Sequence, residues 1–84
     1  MSKIAVVTGG AGGIGQAVAE RFFQEKYILV LLDLNAEAGK SVAAELSRRG
    51  APVMFLPANL TQEAEIKSAF EKIIAAYNRV DTLV

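Results

Sequence analysis

Residues 8–15 read TGGAGGIG, five glycines in eight positions, set between the apolar run IAVV at 4–7 and a segment with helical periodicity. Glycine at this density lets the chain turn tightly and approach a ligand closely, and a helix starting there offers its first N–H groups to an anion. Plain turn formation is the competing explanation, and the surroundings have to decide. Two registers fit the stretch. Gly10-Ala11-Gly12-Gly13-Ile14-Gly15 satisfies G-x-G-x-x-G, whereas Thr8, Gly9, Gly13 and Gly15 satisfy a wider T-G-x-x-x-G-x-G. A phosphate-transferring P-loop is excluded, because Gln16-Ala17 stand where lysine and a hydroxyl residue are needed.

Outward from the glycines, short apolar runs alternate with longer amphipathic segments. The run at 4–7 is continuous and largely β-branched, as in a strand covered on both faces, and ends at Thr8. Ile14, Ala17, Val18, Phe22 and Phe23 recur at helical spacing, with Gln16, Glu20, Arg21 and Glu25 on the other side. YILVLL at 27–32 is a second buried-type strand, closed by Asp33. Asn35 is placed to cap a second helix, whose stripe is Ala38, Val42 and Leu46 and whose end carries Arg48, Arg49 and Gly50. Arg48-Arg49 reads as a solvated helix end. VMFL at 53–56, between Pro52 and Pro57, is a third strand. Thr61 is expected to cap a third helix with the stripe Ile66, Ala69, Phe70, Ile73, Ile74 and Tyr77, and residues 81–84 begin a fourth strand.

Strand–helix alternation with buried-type strands predicts an α/β fold: a Rossmann-type parallel sheet with helices on both faces, βαβαβα plus the start of a fourth strand, in the order 3-2-1-4. This is part of a doubly wound fold, and the 84 residues form one unit, a dinucleotide-binding segment. In such sheets ligands bind beyond the carboxyl ends of the strands, where the glycines, Asp33 and Asn59 all fall.

Composition narrows the classes. Hydrophobic residues make up 52% and charged residues 21%, which suits a globular domain, although one this short buries only about 60–65% of its unfolded surface. Nine basic residues balance nine acidic ones without clustering, so no nucleic-acid or membrane surface is expected. With neither cysteine nor histidine, thiolate sites, disulfides and the usual zinc and haem ligands are excluded. No apolar run is long enough to span a bilayer, and a cytoplasmic location is expected.

A strand before the glycines, a helix after them and Asp33 about 20 positions further on make a dinucleotide the favoured ligand. A carboxylate at Asp33 can accept hydrogen bonds from two ribose hydroxyls and repels a 2′-phosphate. No arginine follows it, so NAD is expected over NADP. Asp33 as a cap of the next turn is the alternative, and Asn59 reads equally well as a loop residue after Pro57.

The wider glycine register after IAVVT, LLDLN at 31–35, ANLT at 58–61 and VDTLV at 80–84 together resemble the short-chain dehydrogenase/reductase family over the whole chain. The resemblance implies a cofactor site made by Gly9, Gly13, Ile14, Gly15, Asp33, Leu34, Asn59 and Leu60, with Gly10 and Gly12 permissive. It implies a parent oxidoreductase, a homo-oligomer, transferring hydride between NAD(H) and a small alcohol or carbonyl substrate. Asn59 departs from the family, which has aspartate at the point that contacts the adenine amino group. Its carbonyl is expected to accept that bond without the charge-assisted part. The family's Asn-Asn-Ala-Gly segment, catalytic serine and Tyr-x-x-x-Lys pair are expected after Val84. Four residues beyond Tyr27 and Tyr77 stand Leu31 and Asp81, so no residue here takes a catalytic role. Met1 reads as a true start, with the rest of the enzyme on the carboxyl side. A stand-alone binding module without catalysis, or a fold that binds nothing, are the other readings, and the sequence following Val84 would separate the three.

Overall fold

The computed structural model describes residues 3–84. Strand β1 (Ile4–Thr8) leads through the glycines to helix α1 (Gly13–Gln24), then β2 (Ile28–Asp33), α2 (Ala36–Arg48), β3 (Val53–Pro57), α3 (Glu63–Tyr77) and β4 (Thr82–Leu83). All pairings are parallel and the order is β3-β2-β1-β4, as the alternation predicts. Val6 stands opposite Val30 on one side and Leu83 on the other, and Leu31 opposite Phe55.

The period-two geometry of a strand sends successive side chains to opposite faces. Ile4, Val6, Val30 and Leu32 therefore pack with Ala58, Ala69 and Ile73, under α3. Ala5, Val7, Leu29 and Leu31 pack with Ala19, Leu46 and Ala51, under α1 and α2. Burial on both faces explains why these strands are wholly apolar. Each large side chain so buried contributes about 1.5–3 kcal/mol before chain entropy is set against it.

The helix ends at the amino edge of the sheet are closed by one device used twice. After α1, the N–H of Tyr27 donates to the carbonyl of Phe22 and that of Lys26 to Phe23. After α2, Ala51 donates to Leu46 and Gly50 to Ser47. This is the Schellman pattern, which requires a left-handed residue at its turn. Gly50 supplies it at φ +92°, while Lys26 adopts φ +67° despite its side chain. The accompanying apolar contact is Phe22 against Tyr27, edge to face at 4.8 Å, and Leu46 with Ala51 in the second case. Tyr27 thus belongs to the turn, and β2 runs one residue later than the apolar run suggests.

Four other expectations need correction. Thr61 does not cap α3; Gln62 holds the cap position and makes no side-chain cap bond. Ile14 and Ala17 are exposed, so the buried side of α1 is Gly15 and Ala19, with Val18, Phe22 and Phe23 packed beside them. Ile74 is also exposed, leaving Ala69 and Ile73 as the buried residues of α3. Arg49 is not simply solvated. Its guanidinium pairs with Glu20 of α1 and lies 5.4 Å from the centre of the Phe23 ring, joining the two helices. Asn35 caps α2 as expected, accepting from the N–H of Ala38 at 3.0 Å.

Candidate functional site

The glycine stretch divides into positions with different tasks. Gly9 has φ +67°, a conformation that strains any side-chain-bearing residue, and its N–H donates to Leu32 at 2.8 Å. Gly15 is held by packing: a Cβ there would lie 1.9 Å from the Gly9 carbonyl oxygen. Gly10 sits close to β2, where a Cβ would stand 3.0 Å from that of Leu31, so that a side chain there requires Leu31 to give by a few tenths of an ångström. Gly12 meets only an ordinary contact at 3.5 Å and is the cap residue of α1. Above Gly13 there is nothing within 4 Å. One glycine makes the turn, two let the turn sit on the helix and on β2, and one leaves its outer side open.

That open side coincides with an unsatisfied helix end. The first N–H groups of a helix have no partner within it. Gly12 offers no side chain, the first turn of α1 has no acidic residue, and among the described residues nothing accepts from Gly13, Ile14 or Gly15 N–H. By contrast α2 has Asn35 and Glu37 at its start, and α3 has Glu63 and Glu65. The start of α1 therefore keeps both its donors and its positive end field.

Asp33 ends β2 beside this loop. One carboxylate oxygen accepts from Ala11 N–H at 3.0 Å and the other from Asn35 N–H at 2.9 Å. The turn-capping alternative is thus realised, and each oxygen keeps a lone pair for a further donor. Next to Ala11, a groove of about 360 Å³ is lined by Gln16, Ala38, Ser41, Val42, Glu45 and Arg48. Its cation, Arg48, is paired with Glu45.

At the end of β3, Asn59 is fixed from two directions. Its Oδ1 accepts from Thr61 N–H at 3.0 Å and from Thr61 Oγ1 at 2.6 Å, while its own N–H donates to Glu65 Oε1 at 2.9 Å. The expected carbonyl acceptor is already in use. Sequence reasoning missed Ala11, Thr61 and Glu65 as the residues that hold the site; the Asn-x-Thr spacing, an Asx-turn signature, could have revealed Thr61.

The apolar side chains proposed for the site lie on the same edge. Ile14, Leu34 and Leu60 are 85%, 70% and 36% exposed, among the few large hydrophobics that face water. Thr8 points elsewhere, donating its hydroxyl to the Val84 carbonyl at 2.6 Å and so joining the glycine turn to the end of β4. Among the described residues no helix is long and apolar enough to cross a membrane, and no group of three His, Cys, Asp or Glu residues could hold a metal.

A family model described as short chain dehydrogenase matches residues 3–84. An uncharacterized oxidoreductase of Bacillus subtilis, YuxG, is 37% identical over an alignment of 84 positions that covers 98% of this chain and 12% of that protein. A 2,5-dichloro-2,5-cyclohexadiene-1,4-diol dehydrogenase of Sphingobium indicum, LinX, is also 37% identical, covering 96% of this chain and 32% of its own. Among solved structures, a short chain dehydrogenase/reductase from Burkholderia phymatum in complex with NAD superposes with a TM-score of 0.94 at 28% identity, over 98% of this chain and 29% of that one. The chain spans about a third or less of the length of these relatives.

Proposed function

The chain belongs to the short chain dehydrogenase family, and from that premise we propose that it is the dinucleotide-binding part of an oxidoreductase that takes NAD(H) in preference to NADP(H). The observation that carries the reading is the uncapped start of α1, with free N–H groups at Gly13, Ile14 and Gly15 and open space above Gly13. A pyrophosphate fits that donor set, since it brings the negative charge that no side chain supplies there. Asp33 serves the ribose: its remaining lone pairs accept from hydroxyls and its charge opposes a 2′-phosphate. Leu34, Asn59 and Leu60 flank the base, and Ile14 lies beside the loop.

When bound, the nicotinamide supplies the hydride acceptor or donor for an alcohol or carbonyl substrate. The residues here bind and orient. Tyr27 is packed on Phe22. The whole enzyme is proposed to be a cytoplasmic homo-oligomer whose catalytic residues lie outside these 84.

Calorimetric titration of the intact protein with both cofactors tests the reading. NAD should bind about tenfold or more tightly than NADP, and Asp33→Ala should narrow the gap by weakening NAD and tolerating NADP. Equal binding of the two by the unaltered protein would defeat the role given to Asp33.

A further inference from the structure

The glycine turn is closed on itself before α1 begins. Gly12 N–H donates to the Gly9 carbonyl at 3.0 Å, which makes residues 9–12 a four-residue turn with Gly10 and Ala11 at its centre. Gly9 and Gly10 N–H both go to the Leu32 carbonyl, at 2.8 and 3.3 Å, and Ala11 N–H goes to Asp33. Every N–H of the turn is thus spent inside the protein. The next three, at Gly13, Ile14 and Gly15, meet no acceptor among the described residues.

The helix has glycine at its cap position, so no side chain locks its first turn from the front. Gln16 holds it from behind. Its backbone N–H donates to the Gly12 carbonyl at 2.8 Å, and its side-chain Nε2 donates to the Ala11 carbonyl at 3.2 Å. Two successive carbonyls are gathered by one residue, and Ala11 is held on both sides, its N–H by Asp33 and its carbonyl by Gln16. The chemistry of the group matters here. A capping side chain of the usual kind accepts from the N–H groups of the first turn and, if acidic, cancels their field. The Gln16 amide donates to a carbonyl instead. Being neutral, it leaves the three N–H groups and the positive end of α1 as they are.

Resting on the dinucleotide reading above, we infer that Gln16 is a positioning residue for the glycine loop. By clipping the Ala11 carbonyl to the first turn of α1, it holds residues 9–12 in the arrangement that presents the Gly13, Ile14 and Gly15 donors together. It touches no reacting atom. A dinucleotide binds that arrangement, so its apparent affinity falls with the fraction of molecules whose loop is in another one. Methionine has nearly the length and helix preference of glutamine but no donor, so Gln16→Met removes the clip and little else.

The test compares the intact protein with Gln16→Met and with Gln16→Lys, which keeps a donor. Amide hydrogen exchange at Ala11 and Gly12, followed without cofactor, reads the clip, and calorimetric titration with NAD reads its use. Gln16→Met should exchange about fivefold faster at both amides, as the loss of one hydrogen bond implies, and bind NAD about threefold more weakly with Tm unchanged. Gln16→Lys should restore slow exchange. Exchange in Gln16→Met within about twofold of the unaltered protein overturns the inference whatever the affinity, since weaker binding would then mark a direct contact. Faster exchange with unaltered NAD affinity overturns it too, as does faster exchange throughout α1 with a lowered Tm, the mark of a merely structural role. Failure of the unaltered protein to bind NAD overturns the dinucleotide reading itself and the inference with it.

Discussion

The two ends of the parallel sheet are built to opposite standards of closure. At the amino end the helix termini are finished: two Schellman turns, the Phe22–Tyr27 contact, and the pair of Arg49 with Glu20 over Phe23. The start of β1 is closed as well, because Asp81 accepts from Ile4 N–H at 2.7 Å and pairs with Arg79. At the carboxyl end, α1 begins without a cap and Ile14, Leu34 and Leu60 face water. Open donors beside open apolar surface cost stability, and they persist where a ligand completes them. Closure is concentrated at the amino end of the sheet, and uncapped donors and exposed apolar side chains at the carboxyl end.

The sharpest way to break this contrast lies within the glycine loop. Gly15→Val drives a side chain into the Gly9 carbonyl and should cost about 3 kcal/mol or more, seen as a lower Tm together with lost NAD binding. Gly13→Val adds its side chain to empty space. It should lower NAD affinity by about a hundredfold, roughly 2.7 kcal/mol, while Tm in the absence of cofactor stays nearly unchanged. Equal stability losses in the two variants would refute the division between packing and ligand glycines.

A smaller effect is expected at the closed end. Lys26 holds the left-handed position that Gly50 holds in the matching turn. Lys26→Gly should therefore stabilise by about 1 kcal/mol in chemical denaturation, because it removes the steric cost of φ +67°. Gly50→Lys should do the reverse. The mildest test uses acid. The hydrogen bond from Arg79 and that from Ile4 N–H hold the Asp81 carboxyl below its ordinary value. Its contribution to stability is complete above the unfolded-state value of about 3.9 and is lost as pH falls through the lower folded value. Asp81→Asn should lower Tm slightly at neutral pH and flatten its decline in acid over that window, measured by thermal melts across pH.

Most of the architecture was legible in the sequence because its punctuation is strong. Strands buried on both faces give unbroken apolar runs, and Asn35, Gly50 and Pro57 mark the boundaries between them. The misreadings within the helices and the glycine loop have a packing cause. Hydrophobic periodicity counts large side chains, whereas α1 meets the glycine turn through Gly15, Gly10 meets Leu31, and α2 approaches β3 through Gly39, whose Cβ would lie 2.0 Å from Phe55. A glycine that packs looks the same in sequence as one that turns. Ile14 accordingly falls in the apolar stripe although it faces water. Arg49 looked solvated because its partner Glu20 is 29 residues away. In the site, Asp33 and the glycines could be placed from spacing alone, but the state of Asn59 depends on which of its atoms Thr61 engages, and only geometry reveals that.

The bond from Ala11 N–H to Asp33 has a consequence for redesign. One carboxylate both anchors the loop and faces the proposed ribose position, so specificity and preorganisation are joined in a single side chain. Replacing Asp33 with a small neutral residue to admit a phosphorylated cofactor also removes the acceptor of Ala11 N–H. On the proposed reading, exchanging the cofactor takes two substitutions, one to remove the charge and another to supply a new acceptor for Ala11.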